Sequence, residues 1–486
     1  MDGLVTQLPW AIILILLPLA AGMACFVAPR IAGALGLLSV VAVLLATLGL
    51  GLQLASAGVY RHSIGGWGAP LGIELYADGL SLLMLGITAL VGIGVSLYAG
   101  AYFTREQAGR FWPVWLFLLA ALNGLFLVDD VFNLYVCLEL IGLSAVSLTA
   151  LAGTTAALAG AMRYLLATLL GSLLYLLGVA LLYHTFGTVD ISLLAGRVTP
   201  LPALWAALGL MGAGLILKTA LFPFHFWLPA AHGSAPAPVS AVLSALVVKG
   251  SFYILLRLWI ELYAPAGGQS AGLLFGVLGS AAVLWGSIQA LRQARLKLMV
   301  AYSTVAQIGY LFLAFPLGGA AGYAWQGALY LLVSHALAKS AMFLAAGNLL
   351  RFGGHERIAH LDRVVQRLPL TVGAFAMAGV SIMGLPPSGG FIGKWLLLQT
   401  ALSQGQWMLA LVMVLGSVLA AAYVFRVLGH AFTAAAVPHD PIAVPLRMEW
   451  AAVLLAAGSI VLGLLAVPLF TLAGIGGFAG MGASLP

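Results

Sequence analysis

Apolar residues fill the chain in long blocks, separated by short segments that contain the polar, glycine and proline residues. A membrane-spanning helix needs about 20 consecutive, mainly apolar residues, and most of the blocks reach that length. The pattern therefore predicts an all-α integral membrane protein with about 14 transmembrane helices, which we number spans 1 to 14. The predicted spans lie near residues 8–27, 31–54, 79–101, 112–128, 131–152, 161–184, 204–229, 236–260, 271–290, 298–317, 324–350, 370–403, 407–431 and 448–470.

The composition supports membrane insertion and narrows the chemistry. Hydrophobic residues make up 63% of the chain and charged residues 7%, and the mean hydropathy is +1.12, which excludes an ordinary water-soluble protein. The basic residues behind the formal charge of +7 are then expected to set the orientation of the chain in the membrane, and no nucleic acid partner is expected. Cys25 and Cys137 lie in apolar segments and have no metal-ligand spacing. We expect no cofactor, metal, redox or hydrolytic site in this chain.

The basic residues predict an orientation. Of the 16 Lys and Arg residues at span ends or in loops, 13 follow odd-numbered spans and three follow even-numbered ones. Because cytoplasmic loops are enriched in Lys and Arg, we predict that both termini lie outside and that the long 351–369 loop is cytoplasmic. The stretch before Leu8 carries no positive charge, so residues 8–27 are expected to be a retained span rather than a signal peptide.

Four of the five lysines, Lys218, Lys249, Lys339 and Lys394, lie inside predicted spans. None of the 15 arginines is predicted to be as deep. An ionisable residue inside the membrane is costly and is by default a functional hypothesis. A buried ammonium can lose its proton near neutral pH, whereas a guanidinium effectively cannot. The placement predicts a protein that moves protons, or ions coupled to them, across a membrane.

Two spans contain residues that interrupt a helix. In span 7, Lys218 is followed by Pro223 and Pro229, and in span 12 the segment GLPPSGG (384–390) precedes Lys394. Proline removes a backbone donor and clashes with the preceding turn, so both helices should break within the membrane. Broken spans in corresponding halves of a transporter indicate a repeat and a conduction site at the break.

The two breaks lie five spans apart, and an odd separation gives the two units opposite topology. We therefore predict two inverted five-helix repeats, spans 4–8 and 9–13. The resulting divisions are residues 1–104 with spans 1–3, 105–262 with the first repeat, 263–432 with the second repeat, and 433–486 with span 14 and a tail.

Four segments carry a family resemblance: FPFHFWLPAAHGSAPAPVSAVLSALVVK (222–249), AYSTVAQIGY (301–310), HALAKSAMFLAAG (335–347) and GLPPSGGFIGK (384–394). Together they resemble the antiporter-like subunits shared by respiratory complex I, Mrp-type sodium/proton antiporters and membrane-bound hydrogenases. The segment GGWGAPLGIELYADGLS (65–81) is most similar to the Mrp D subunit. Ala230 and Arg295 stand where the family often has aspartate. The resemblance implies other membrane subunits as partners, in the lipid bilayer of the cell inner membrane.

Glu139 is the only acidic residue well inside a predicted span. A buried carboxylate that stays ionised needs a nearby cation, and the resemblance implies that this cation is Lys218. Such a pair can act as a switch, because the attraction holds Lys218 protonated and withdrawal of Glu139 lets the proton leave. A static ion pair that fixes helix packing is the alternative.

The remaining deep residues extend this pair into a predicted relay. Lys249 can accept the proton that Lys218 releases, unless it extends to the membrane surface instead. His335 and Lys339 are four residues apart and share one helix face, although His335 could also be a core residue. The resemblance implies that Lys394 is the terminal lysine from which protons leave.

Several further residues are weaker candidates. His225 and His232 are candidates for gating or a proton half-channel, together with Pro223, Pro386 and Pro387, and a structural cap is the alternative for the histidines. Asp78, Asp129 and Asp130 are expected on a solvated face. The charged 351–367 loop either sets topology or docks a cytoplasmic partner.

Three functions fit these features. The first is the ion-translocating subunit of an Mrp-type antiporter that exchanges H⁺ for Na⁺. The second is a proton-pumping subunit of a redox complex, such as complex I or a membrane-bound hydrogenase, whose partner subunits carry out the redox chemistry. The third is a scaffold without conduction.

Overall fold

The computed structural model describes residues 8–318, 323–435 and 442–477. Within those ranges, 13 helices are long and apolar enough to cross a membrane. They are Trp10–Val27, Ala32–Ala57, Gly79–Tyr102, Arg105–Leu127, Val131–Ala150, Thr155–Phe186, Pro202–Ser234, Ala237–Tyr263, Gln269–Arg292, Leu296–Leu317, Ala324–Gly353, Trp407–Phe432 and Leu446–Leu464. These are spans 1 to 11, 13 and 14, and the predicted all-α membrane fold is confirmed. Residues 1–7 and the tail from 478 lie outside the described residues.

Spans 7 and 12 are interrupted. Span 7 consists of the helices Pro202–Thr219 and Trp227–Ser234. Span 12 consists of Pro369–Met383 and Gly389–Ser403, each of 15 residues, so neither half alone has the length of a span. Each interruption coincides with the proline-containing segment of its span, because proline cannot continue the backbone hydrogen bonding of a helix.

Two short strands join spans 2 and 3. Tyr60–Ser63 and Glu74–Ala77 pair antiparallel, with Tyr60 opposite Ala77 and Ser63 opposite Glu74. The hydrophobic pattern does not predict this hairpin. We call the side of the molecule that carries it the hairpin face.

Loop contacts separate into two groups. On the hairpin face, Leu75 bridges to Val128 after span 4, and Asp130 bridges to Asp190 after span 6. On the opposite face, Arg295 after span 9 bridges to Arg357 after span 11. The Arg363 N–H after span 11 donates to the Thr433 carbonyl after span 13, and the Gly79 N–H at the hairpin donates to the Ile475 carbonyl after span 14. These loops after even-numbered spans contact one another, as do these loops after odd-numbered spans, which agrees with 14 membrane crossings.

Spans 8 and 11 form the centre of the molecule, and the most apolar window of each is completely buried. Glycines allow the surrounding helices to approach closely. A Cβ on Gly214 of span 7 would lie 2.3 Å from the carbonyl oxygen of Gly171 on span 6, so a larger residue would force these helices apart. The close approach fixes the position of Lys218, one turn further along span 7.

The expectations that Asp78 lies on a solvated face and that no arginine is deeply buried are wrong. Asp78 is only 2% exposed, and Arg257 of span 8 is buried against it. Two guanidinium nitrogens of Arg257 each donate to a carboxylate oxygen of Asp78 at 2.6 Å. Arg257 follows a long apolar run, and its partner comes from span 3, which is 179 residues away in the chain.

Asp129 and Asp130 are also buried, at 8% and 7% exposed, which contradicts the expected solvated face. Asp129 accepts hydrogen bonds from Ser192 and Arg61, at 2.8 and 3.4 Å. Burial raises the pKa of Asp129 to about 6; Ser192 and Arg61 oppose this shift, and the nearby carboxylate of Asp190 adds to it. These residues form part of a polar layer beneath the hairpin.

Candidate functional site

Glu139 and Lys218 face each other near the break in span 7. The distance from Lys218 Nζ to Glu139 Oε1 is 3.6 Å. Each group makes its direct hydrogen bond to span 6 instead: Lys218 donates to Thr168 Oγ1 at 2.8 Å, and Ser172 donates to Glu139. Span 6 therefore holds the two charges next to each other without a close direct hydrogen bond between them.

A small cavity adjoins the Lys218 side chain. Its volume is about 10 Å³, and its lining includes Thr168 of span 6 and Ser251 of span 8. This is roughly the space that one water molecule requires. Ser251 Oγ also accepts a hydrogen bond from Thr219, the residue after Lys218, at 3.0 Å. Hydroxyl groups thus connect span 7 to span 8 beside the lysine.

The break after Lys218 is stabilised by side chains. Ala220 has φ +58° in the left-handed region and ends the first half of the span. Trp227 donates its indole N–H to the Leu217 carbonyl at 2.9 Å and stacks on Tyr164 with the ring centroids 4.3 Å apart. A carbonyl that has lost its helical partner is therefore satisfied inside the protein.

Lys249 is almost completely buried, at 1% exposed, in the central span 8. Its ammonium donates to the carbonyl oxygen of Ser244. The turn before it, Leu243–Val247, is a π-helix, a form that occurs frequently at functional sites. The Ser244 hydroxyl contacts the Thr304 hydroxyl of span 10 at 2.8 Å.

Lys339 and His335 lie one turn apart on the central span 11. Lys339 donates to Ser303 Oγ and, at 3.2 Å, to the Val300 carbonyl, both on span 10. His335 is 2% exposed, and neither ring nitrogen has a hydrogen-bond partner among the described residues. Lys249, Lys339 and Lys394 all lie within electrostatic range of this imidazole.

Lys394 reaches back from the second half of span 12 to the end of the first half. Its ammonium donates to the Ile382 carbonyl at 2.8 Å and to Ser417 Oγ of span 13 at 3.3 Å. It also lies 4.3 Å from the ring centroid of Tyr310 on span 10. Lys394 follows its break, whereas Lys218 precedes its own, so the two lysines do not occupy equivalent positions.

Span 10 contributes polar groups that connect the last three lysines. Thr304 donates to the Val300 carbonyl at 3.1 Å, and this carbonyl also accepts from Lys339. One turn later, Gln307 donates to the Ile382 carbonyl at 3.3 Å, the same atom that accepts from Lys394. The polar face of span 10 thus contacts Lys339 directly, Lys249 through Ser244, and Lys394 through the Ile382 carbonyl.

The two weaker histidine candidates lie in different environments. His232 is completely buried and stacks on Phe343 at 4.8 Å, and neither of its ring nitrogens has a hydrogen-bond partner within the described ranges. It lies within electrostatic range of Lys249, Lys297 and Lys339. His225 is half-buried beside Phe222.

The candidate prolines lie on the surface of the molecule, not in the interior. They are Pro223, Pro386 and Pro387. They influence the interior indirectly, because each break leaves backbone carbonyls without a helical N–H donor, and buried side chains donate to these carbonyls.

The sequence analysis did not predict three features of the structure: the burial of Lys297, the pairing of Arg257 with Asp78, and the polar face of span 10. Lys297, counted as a loop charge, is buried and donates to the Ala235 carbonyl. The pairing of Arg257 with Asp78 also went unpredicted. The hydroxyl and amide residues of span 10 were available as a signal, because Ser303 and Gln307 are four apart and share one face of an otherwise apolar helix.

The family model described as NADH:quinone oxidoreductase/Mrp antiporter, TM matches residues 128–420, more than half of the chain. The chain belongs to this family. Its members include both proteins named in that description, and the matched region contains all six residues of the predicted relay.

Two curated relatives of this family represent its two branches. NADH-quinone oxidoreductase subunit N of Desulforudis audaxviator (strain MP104C) is 37% identical over 433 residues, which cover 87% of this chain and 86% of the relative. The D subunit of the Na⁺/H⁺ antiporter of Bacillus subtilis (strain 168) is 29% identical over 381 residues, which cover 77% of this chain and 76% of the relative. The chain is thus similar to both branches of the NADH:quinone oxidoreductase/Mrp antiporter family.

Solved structures share the fold over almost the whole chain. A chain of the Mrp complex from Dietzia sp. DQ12-45-1b superposes with a TM-score of 0.90 at 24% identity and covers 99% of both chains. A chain of an archaeal membrane-bound sulfane sulfur reductase gives 0.88 at 28% identity, with 96% of this chain and 97% of that chain covered. Both are chains of membrane complexes.

Proposed function

We propose that this chain is a proton-translocating membrane subunit of a multisubunit complex. The observation that supports this proposal is the chemistry of the four deep lysines. Each ammonium lies against a hydroxyl or carbonyl oxygen, and among the described residues a single carboxylate, Glu139, forms an ion pair with any of them. Such groups can exist either protonated or neutral, which a proton relay requires.

Glu139 and Lys218 form the switch in this proposal. At 3.6 Å the carboxylate stabilises the protonated lysine. Because Thr168 and Ser172 hold the two groups separately, a small shift of span 5 relative to span 7 weakens the attraction without removing a direct hydrogen bond. The proton of Lys218 is then released toward span 8.

The relay continues along the polar contacts. The proton passes from Lys218 to Lys249 through the hydroxyls of Thr219 and Ser251, with water in the cavity beside them. Water that bridges the hydroxyls of Ser244, Thr304 and Ser303 then carries it to Lys339. His335 exchanges protons with its lysine neighbours, and Lys394 is the terminal group.

Two energy sources fit such a relay. The higher identity to an NADH-quinone oxidoreductase subunit, 37% against 29% for an Na⁺/H⁺ antiporter subunit, supports a redox-driven complex. Exchange of H⁺ for Na⁺ in an Mrp-type complex is the second candidate, supported by the 29% identity to an Na⁺/H⁺ antiporter D subunit over 77% of this chain. In both, the partners are other membrane subunits in the same bilayer.

Proton flux by the native complex in sealed vesicles tests the proposal. We expect Lys218→Ala to abolish flux, because Lys218 is the cation that pairs with Glu139 in the part of the chain that the structure describes. Arg110→Ala is the matched control, since it also removes one positive charge, but from an exposed ion pair, and it should leave flux unchanged. Unchanged flux in an assembled Lys218→Ala complex would show that the chain is a scaffold.

The subunit composition of the purified complex distinguishes the two energy sources. Partner subunits with cysteine-rich iron–sulfur motifs, and flux that needs an electron donor, would support the redox-driven complex. Flux driven by a sodium gradient without an electron donor would support the exchanger.

A further inference from the structure

A large apolar groove lies between spans 2, 3, 11 and 14 and the short helix Ala466–Ala473. Its volume is about 630 Å³, and every residue that lines it is apolar except Thr47. The Thr47 hydroxyl donates to the Val43 carbonyl of its own helix at 2.8 Å. The groove therefore presents hydrocarbon without an unsatisfied polar group.

The groove opens toward the surrounding membrane. Leu48 and Leu52 of span 2 and Leu90 of span 3 line it and are 57%, 62% and 49% exposed. All three belong to helices long and apolar enough to cross the membrane. The medium at this opening is thus hydrocarbon, not water.

The absence of a side chain at one position contributes to this space. Gly86 of span 3 lines the groove, and a Cβ added there would have no other heavy atom within 4 Å. Its φ is not in the left-handed region, so the backbone does not require glycine at this position. A larger residue would fill the groove instead of straining the helix.

The length of the groove corresponds to one leaflet of the bilayer. Along span 2 it runs from Ala55, two residues from the end of the helix, to Thr47. Nine helical residues extend about 12 Å, and half of a hydrocarbon core of about 30 Å is roughly 15 Å. The groove begins at the hairpin face and ends near the midplane.

These dimensions do not fit a transmembrane helix of another subunit. Such a helix needs about 20 residues to cross the membrane. The groove runs only about 12 Å along span 2, less than half of the roughly 30 Å that such a helix occupies. A flexible hydrocarbon chain needs neither the width nor the length of a helix.

We propose that this groove binds one acyl chain of a phospholipid from the leaflet on the hairpin face. The bound chain contacts Val333 and Leu337 of span 11, which flank His335 in sequence. Lipid thus packs against the helix that carries His335 and Lys339. This inference does not depend on the proposed proton transport, because binding is measured without any flux.

Photolabelling of the purified complex in lipid nanodiscs tests the proposal. The probe is phosphatidylethanolamine with a diazirine in one acyl chain, and labelled peptides are identified by mass spectrometry. We expect strong labelling of the span 2 and span 3 peptides that line the groove. Gly86→Leu should abolish this labelling, and Gly86→Ala, which adds only a methyl group, should reduce it. Gly100→Leu on the same helix is the matched control, because a Cβ there also meets open space and the residue lies outside the groove.

Leu166 and Leu173 of span 6, which are 62% and 61% exposed, provide an internal standard for general lipid contact. Their labelling should stay constant in all variants that fold. Groove labelling that equals this standard in the wild type, or that persists in both Gly86 variants, would overturn the proposal. A photo-reactive amino acid at Leu52 that couples to another subunit rather than to lipid would also overturn it.

Discussion

At the scale of single residues, the buried cations fall into two groups. Arg257 lies against the carboxylate of Asp78, with two hydrogen bonds of 2.6 Å. The deep lysines instead lie mainly against hydroxyl and carbonyl oxygens. A guanidinium stays charged under all ordinary conditions and therefore needs a full counter-charge when buried, whereas an ammonium can lose its proton. A buried arginine thus fits a fixed structural charge, and a buried lysine fits the exchangeable charge that the proposed relay requires.

Asp78→Asn should strongly destabilise the protein. The substitution removes the carboxylate that accepts two hydrogen bonds from the buried guanidinium of Arg257, and breaking a buried pair in this way costs about 3–5 kcal/mol. The melting temperature of the purified protein measures the effect. Glu106→Gln is the control, because its partner Arg110 and Glu106 itself are 70% and 78% exposed, and it should not change the melting temperature. Equal melting temperatures for the two variants would contradict a structural role for Asp78.

Asp129 should make stability depend on pH. Its pKa is raised to about 6, mainly by burial, compared with about 3.9 in an unfolded chain. Between these values the folded state binds the proton and the unfolded state does not, so stability should fall as the pH rises from about 4 to about 6. Melting temperatures across this range for the wild type and Asp129→Asn check the expectation. The variant should lose part of the slope, and identical slopes would contradict it.

At the scale of elements, the broken spans depend on residues with unusual backbone conformations. Gly384 ends the first half of span 12 with φ +82°. A Cβ there would lie 2.7 Å from Lys394 Cδ, so glycine both permits the turn and leaves room for the lysine. The break and the position of the ammonium are therefore one structural feature.

Gly384→Ala should destabilise the protein and reduce proton flux, because the new methyl group strains the turn and displaces Lys394. The strain in the left-handed region alone costs about 1–2 kcal/mol. Gly373→Ala is the matched control in the same helix, where a Cβ meets open space, and it should be neutral or slightly stabilising. Melting temperature and vesicle flux are measured for both. Flux at the wild-type level in Gly384→Ala would exclude a precise placement of Lys394 as a requirement.

At the scale of the whole molecule, the contacts among loops sort the two faces but do not identify the cytoplasmic one. The excess of Lys and Arg after odd-numbered spans predicts that the hairpin face lies outside. In the proposed relay, this orientation sets the side to which protons are delivered.

Cysteine labelling in intact cells checks the orientation. In a background without Cys25 and Cys137, a membrane-impermeant thiol reagent should label Leu71→Cys in the hairpin loop, where Leu71 is 83% exposed. Glu106→Cys lies at the start of span 4 on the opposite face and is the control, which should react only after the membrane is opened. The reverse pattern would contradict the predicted orientation.

The sequence by itself determined the all-α membrane fold, the two broken spans and the placement of the four lysines inside apolar helices. Each of these follows from local properties: the length of an apolar run, the missing N–H of proline, or the position of a charge within a run. The family could also be recognised, because its motifs are contiguous segments such as residues 384–394.

Only the tertiary structure decided which groups meet. The pairing of Arg257 with Asp78 joins residues 179 positions apart, and the burial of Asp129 depends on loops that follow different spans. Lys339 donates to a carbonyl oxygen of the neighbouring span 10, and Lys394 donates to a backbone carbonyl beside the break in span 12. An apolar run specifies that a helix crosses the membrane, but its neighbours and the face turned toward them depend on packing across the whole chain.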